Sequence, residues 1–199
     1  MASAGKSREE PAAVRLTSAE LEAGLEHIRA SPRDAGILEL IVVRPRVGKR
    51  EIVEEAQLDP AVGVRGDNWE SRGDFRTRGG PADPEVQVTI MNARAAALVA
   101  HTRDRWALAG DQLYVDFDLS GVHLSAGTRL AIGSAVLEVS AQPHTGCAKF
   151  VSRFGVDAMK FVNSPVGREL NLRGINARVV QAGTIRRGDA ITRWSTSSR

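Results

Sequence analysis

The chain carries one cysteine, Cys147, among 199 residues. No intrachain disulfide can form, and the sequence reads as a protein of a reducing compartment, expected to be cytoplasmic. No apolar run approaches the ~18 residues needed to cross a bilayer. The first ten residues hold no apolar stretch of the kind a secretory signal needs, so no membrane partner is expected. Excess charge of one sign is also lacking: 27 Lys and Arg against 24 Asp and Glu leave +3. That balance is weak for a nucleic-acid binder, and no such partner is expected. The 19 glycines and 8 prolines follow no fixed period, which excludes collagen and repeat arrays. There is no phosphate loop, no dinucleotide-binding glycine fingerprint and no Gly-x-Ser-x-Gly elbow. Four histidines, 27, 101, 123 and 144, are scattered without zinc-ligand spacing.

What is present indicates one mostly β domain. Residues 1–35 read as a polar leader followed by a short helix over about 17–30, with Thr17-Ser18-Ala19-Glu20 as its capping box. Residues 36–193 form the domain proper, and 194–199 a frayed tail. Within the domain, Ile37–Val43, 51–58, Val86–Met91, Leu113–Leu119 and 177–181 read as strands. Gly133-Ser134 joins two further strands as a hairpin turn. Asn92 caps an alanine-rich helix over 93–101, and the spacing of Phe150, Phe154 and Met159 predicts a helix over 149–161. Residues 63–84 form a long loop, either a lid or a plain surface loop. Many short strands with glycine turns and a few peripheral helices predict a β-barrel.

Two segments carry chemistry. The first is Pro143-His144-Thr145-Gly146-Cys147-Ala148-Lys149, directly after a strand. A thiolate is the reactive form of cysteine and neighbouring cations favour it, so His144 and Lys149 can tune Cys147. A lone cysteine is also a common small core residue, and that alternative stays open here. The second is the stretch from Arg168 to Arg193, with arginines at 168, 173, 178, 186, 187 and 193. Arginine's planar fork suits phosphate, and Arg173 and Arg178 flank Gly174-Ile175-Asn176-Ala177. A solvated strand face is the competing reading.

Several further runs carry a family resemblance. They are Gly63-Val64-Arg65-Gly66-Asp67, Gln87-Val88-Thr89-Ile90, Gly110-Asp111-Gln112-Leu113, Gly127-Thr128-Arg129-Leu130, and Leu172-Arg173-Gly174-Ile175-Asn176-Ala177-Arg178-Val179. Arranged in this order around one cysteine, they resemble the MOSC domain family, named for the C-terminal domain of molybdenum-cofactor sulfurase. The resemblance covers roughly 36–193 and implies a β-barrel-rich fold with a functional cysteine at Cys147. It implies the molybdenum cofactor (molybdopterin), with Cys147 as the molybdenum thiolate ligand. Thr145, Lys149, Arg173, Asn176 and Arg178 are then expected around the cofactor, with His144 beside Cys147 in the chemistry. Pyridoxal phosphate, often attached to the family label, is not expected in this chain. Two activities follow from the resemblance: an oxidoreductase acting on N-hydroxylated or similar small molecules, and a non-redox carrier of sulfur or cofactor through a Cys147 persulfide. A plain β-barrel ligand-binding protein is the third reading. The first two require a separate electron donor or sulfur donor protein.

Overall fold

The computed structural model describes residues 14–73 and 80–194. The expected leader at 1–13, the tail at 195–199 and part of the 63–84 loop lie outside the described residues.

The strands are β1 (Ala35–Val43), β2 (Glu51–Val53), β3 (Glu55–Asp59), β4 (Gly63–Val64), β5 (Val88–Asn92), β6 (Leu113–Asp116), β7 (Arg129–Ile132), β8 (Ala135–Pro143), β9 (Ile175–Gln181), β10 (Gly183–Arg186) and β11 (Ala190–Arg193). The helices are α1 (Ser18–Ala23), α2 (Leu25–Arg29), α3 (Trp69–Arg72), α4 (Ala93–Ala100), α5 (Ala148–Phe154), α6 (Val156–Asn163) and α7 (Pro165–Glu169). Hydrogen bonding runs β11-β7-β8-β9-β5-β6-β1, and β1 pairs back with β11 through Ala35↔Thr192 and Gly36↔Ile191. The result is a closed seven-stranded barrel in which only β5 and β6 run parallel. Strand β2 extends β1 on one side, and β10, β3 and β4 form a separate small sheet.

Closure leaves two cores. Leu38, Ile41, Val88, Ile90, Leu113, Val115, Leu137 and Ala177 fill the barrel interior. Leu40, Val42, Met91 and Tyr114 point outward and are covered by α4, α5 and α6 through Ala96, Phe150, Phe154 and Phe161. A strand segment buried on both faces needs no alternation, which explains the continuous apolar run Leu40–Val43 in the second half of β1; the first half alternates, with Ile37 exposed. The strand expected over 113–119 is likewise covered on both faces and is shorter. Tyr114 is fully buried, its hydroxyl donates to the Trp106 carbonyl at 2.7 Å, and the strand ends at Asp116.

Local signals behave as their chemistry requires. Thr17 and Glu20 form the capping box, and Asn92 Oδ1 accepts from Ala95 N at 3.0 Å. Gly133, at φ +54°, turns the β7–β8 hairpin. Two expected helices are each split. Gly24 lies between α1 and α2, where a Cβ would come within 2.6 Å of Leu98. Gly155, at φ +92°, separates α5 from α6. The 63–84 loop contains β4, α3 and a 3₁₀ turn at Pro84–Val86.

Candidate functional site

The strand β8 delivers the Cys147 loop and α5 carries it away. Cys147 is the N-cap residue of α5, exposed and without a side-chain partner. Its carbonyl accepts from Phe150 N and Val151 N, so the backbone is bound into the helix while the thiol is left free. Asn163 on α6 grips the residue before it, with Oδ1 accepting from Gly146 N at 2.9 Å and Nδ2 donating to Gly146 O at 3.3 Å. Asn176 on β9 donates from Nδ2 to Gln142 O at 3.0 Å and fixes the loop's other end. Thr145 and Lys149 are exposed on either side of the thiol.

Beneath this loop lies a turn gathered by three arginines from three distant segments. Arg153 donates to Leu108 O at 2.6 Å, Arg173 to Ala109 O at 2.9 Å and Arg44 to Gly110 O at 2.8 Å. The next residue, Asp111, is fully buried and receives Arg173 Nη1 on Oδ2 at 2.6 Å. Its other oxygen, Oδ1, faces His144 Nδ1 at 3.4 Å, and neither atom has another partner. Leaving both unmatched would cost about 1–3 kcal/mol each, so a small ring rotation that closes the pair is favoured. Burial pushes the His144 imidazole down to about 3, reinforced by the Arg173 and Arg44 guanidinium groups against the attraction of Asp111. His144 is therefore neutral and cannot stabilise a Cys147 thiolate as a cation.

Arginines outnumber carboxylates here. Arg44 takes both oxygens of Asp67, through Nε at 2.8 Å and Nη2 at 3.0 Å, and Arg173 takes Asp111. Among the described residues Arg50 has no carboxylate partner. Its one hydrogen bond is a 3.4 Å contact to Gly48 O, and its buried Nε is unsatisfied. Burial and the nearby Arg153 and Arg44 guanidinium groups lower its proton affinity. Burial and Arg44 act on Arg72 in the same direction. Cations forced together without counter-charges make a site for an anion. Cys147 and Arg153 stand at opposite ends of the same short helix, about 9 Å apart along its axis at 1.5 Å per residue.

The structure does not bring Arg173 and Arg178 to one pocket, as the sequence suggested. Arg173 is buried against Asp111, its guanidinium 5.2 Å from the Phe150 ring centroid. Arg178 lies on the outer face of β9 and is bound to Glu138 of β8. Arg173 lies in the turn before β9, ahead of Gly174 at φ +106°, whereas Arg178 sits within the strand on its exposed face. Sequence reasoning passed over Asp111, Arg44, Arg50, Arg153 and Asn163. Gly110-Asp111 was visible as a motif, but no local pattern announced that its carboxylate would be sealed under the cysteine loop.

The MOSC domain family model matches residues 83–192, more than half of the chain. The chain belongs to the MOSC domain family. This family is associated with binding of the molybdenum cofactor. Solved structures agree on the fold. The YuaD protein from Bacillus subtilis is 16% identical with a TM-score of 0.59, covering 81% of this chain and 97% of its own. YiiM from Escherichia coli is 18% identical with a TM-score of 0.52, covering 82% of this MOSC chain and 72% of its own. YiiM from Geobacillus stearothermophilus is 14% identical at the same TM-score, covering 80% and 75%. No curated protein sequence matches. Among the described residues no helix is long and apolar enough to cross a membrane.

Proposed function

We propose that this MOSC protein is a molybdenum-cofactor-dependent oxidoreductase acting on N-hydroxylated or similar small molecules. The observation that carries the reading is an exposed thiol on a pinned loop that opens the helix carrying Arg153, which has no carboxylate partner among the described residues. The donor set fits the group: a soft thiolate suits molybdenum, and Arg50, Arg72 and Arg153 suit the anionic tail of a molybdopterin. When bound, the cofactor supplies two-electron redox chemistry at the metal. The chain's own residues hold and orient. Cys147 is the protein thiolate, kept at the loop tip by Asn163 and Asn176, while Thr145 and Lys149 border it. Arg173 and Asp111 stabilise the floor. Conversion of an N-hydroxyl group to an amine and water takes two electrons and two protons, with the electrons from a separate donor protein.

The test is molybdenum analysis of protein produced in a cofactor-competent host. Stoichiometric metal is expected in the native protein and none in Cys147→Ser. A second reading, a non-redox carrier of sulfur or cofactor, is favoured by the exposure of Cys147, which suits hand-over to a partner. Sulfane sulfur on Cys147 without molybdenum would select it.

A further inference from the structure

We propose that Asp111 holds His144 with its proton on Nδ1, so that Nε2 is a hydrogen-bond acceptor for a small molecule seated at Cys147. The role assigned to the ligand rests on the reading of the Cys147 loop as a ligand site, but the state of the imidazole does not. Sequence proximity suggested that His144 could tune Cys147 as a neighbouring cation. The geometry reverses that role.

Asp111 Oδ2 is already bound to Arg173, which leaves Oδ1 as the acceptor without a partner. The atom facing it, at 3.4 Å, is His144 Nδ1, also buried and unpartnered. Residue 174, a glycine, packs against the ring. A Cβ built there would lie 3.3 Å from His144 Nδ1, on a backbone at φ +106°. The charged groups facing the ring come from three elements: Arg44 at the end of β1, Asp111 before β6 and Arg173 before β9. Burial and the two guanidinium groups outweigh the carboxylate and keep the ring neutral.

A neutral imidazole has one N–H. If that proton sat on Nε2, the Nδ1 lone pair would face a carboxylate lone pair inside the protein. With the proton on Nδ1, both orphaned atoms are satisfied together. The carboxylate then sets the tautomer of the ring, as it does for histidines in many sites. Among the described residues no hydrogen bond reaches Nε2, and it is not among the sealed polar atoms. Its lone pair is free. Asp111 is thus a positioning residue, and the site matches a ligand group that brings an N–H or O–H donor.

The experiment is a long-range ¹H–¹⁵N correlation on the full chain labelled with ¹⁵N-histidine, recorded from pH 5 to 8. His144→Gln assigns the resonances. The expected result is a protonated, pyrrole-type Nδ1 and an unprotonated, pyridine-type Nε2, with no titration across the range. A protonated Nε2, or a shift to imidazolium on lowering the pH, overturns the proposal. A second measurement on the same protein is carbethoxylation by diethylpyrocarbonate, mapped by mass spectrometry, with N-acetylhistidine as internal standard. Between pH 7.5 and 5.5 the standard slows about tenfold as its ring is protonated, while His144 keeps its rate. A parallel tenfold fall at His144 overturns the proposal. In Asp111→Asn, where residue 111 can donate an N–H to Nδ1, the proton is expected on Nε2. Retention of the native tautomer in that variant would show that Asp111 does not set it. None of these readouts needs metal. Absence of molybdenum with the expected tautomer sinks only the proposed function, and stoichiometric molybdenum with the reversed tautomer sinks only this inference.

Discussion

Arg173 and Asp111 form a buried ion pair, Nη1 to Oδ2 at 2.6 Å, with 7% and 0% of their side chains exposed. The pair locks the turn before β9 to the turn before β6, 62 residues earlier in the chain. It also supplies the carboxylate oxygen that faces His144. Structural support and electrostatic control of the site therefore share one pair of residues.

Breaking that pair strands a charge in the interior. Arg173→Ala is expected to destabilise the fold by about 3–5 kcal/mol. Chemical denaturation should show this as a lowered midpoint. Arg178→Ala, which removes an exposed partner of Glu138, should unfold within error of the parent. Equal losses in the two variants would contradict the assignment of one to the interior and the other to the surface.

Acid stability follows from His144. The folded chain keeps the ring neutral down to about pH 3, whereas the unfolded chain binds that proton near 6.5. The unfolded state thus holds more protons between these values, and stability rises with pH across the window. The contribution is complete above about pH 6.5 and is lost as pH falls toward 3. Buried His123, also held below its ordinary value mainly by desolvation, acts in the same direction. Urea titrations at pH 7 and pH 4.5 should show a flatter pH dependence in His144→Asn than in the parent. An unchanged slope would assign the acid sensitivity elsewhere.

Cys147 should react with a thiol reagent in the native protein, without denaturant, because it is exposed and unpartnered. Cys147→Ser is expected to abolish labelling and leave stability unchanged or raised by up to about 1 kcal/mol. The reason is that Ser is a favoured N-cap and this N-cap makes no side-chain bond. A loss of more than about 1 kcal/mol would mark the thiol as a packing element.

Gly174→Ala should be among the most damaging small substitutions. Its φ is +106°, and a Cβ would press into the Ile90 carbonyl as well as approach His144. A loss of about 2 kcal/mol or more is expected in thermal or urea unfolding. Gly188→Ala, also at positive φ but with nothing within 4 Å of a built Cβ, is the control and should lose clearly less.

Much of the fold was legible locally. The capping box at Thr17, the cap at Asn92, the Gly133-Ser134 hairpin and the apolar run of β1 each depend on neighbours within a few residues, and each is where its pattern put it. Strand ends and helix breaks were less legible. Tyr114 alternates with Leu113 and Val115 in a pattern that by itself fits an outward polar face, because one strand's pattern cannot show that neighbouring elements will cover it. Gly24 and Gly155 interrupt helices, the first packed against Leu98 and the second at positive φ.

The candidate site divides in the same way. Sequence alone determined the barrel class, the family resemblance and the cysteine loop, since turn chemistry and residue order are properties of the chain. Tertiary structure decided which charges meet. Asp111 stands 62 residues from Arg173 and 33 from His144 in the sequence, and only the pairing of β8 with β9, β9 with β5 and β5 with β6 brings the three together. Burial then sets their behaviour: a histidine that in water gains its charge near pH 6.5 is held neutral well below that beside Arg173. Arg50 became a candidate for the same reason, because a missing counter-charge is a property of the space around a residue.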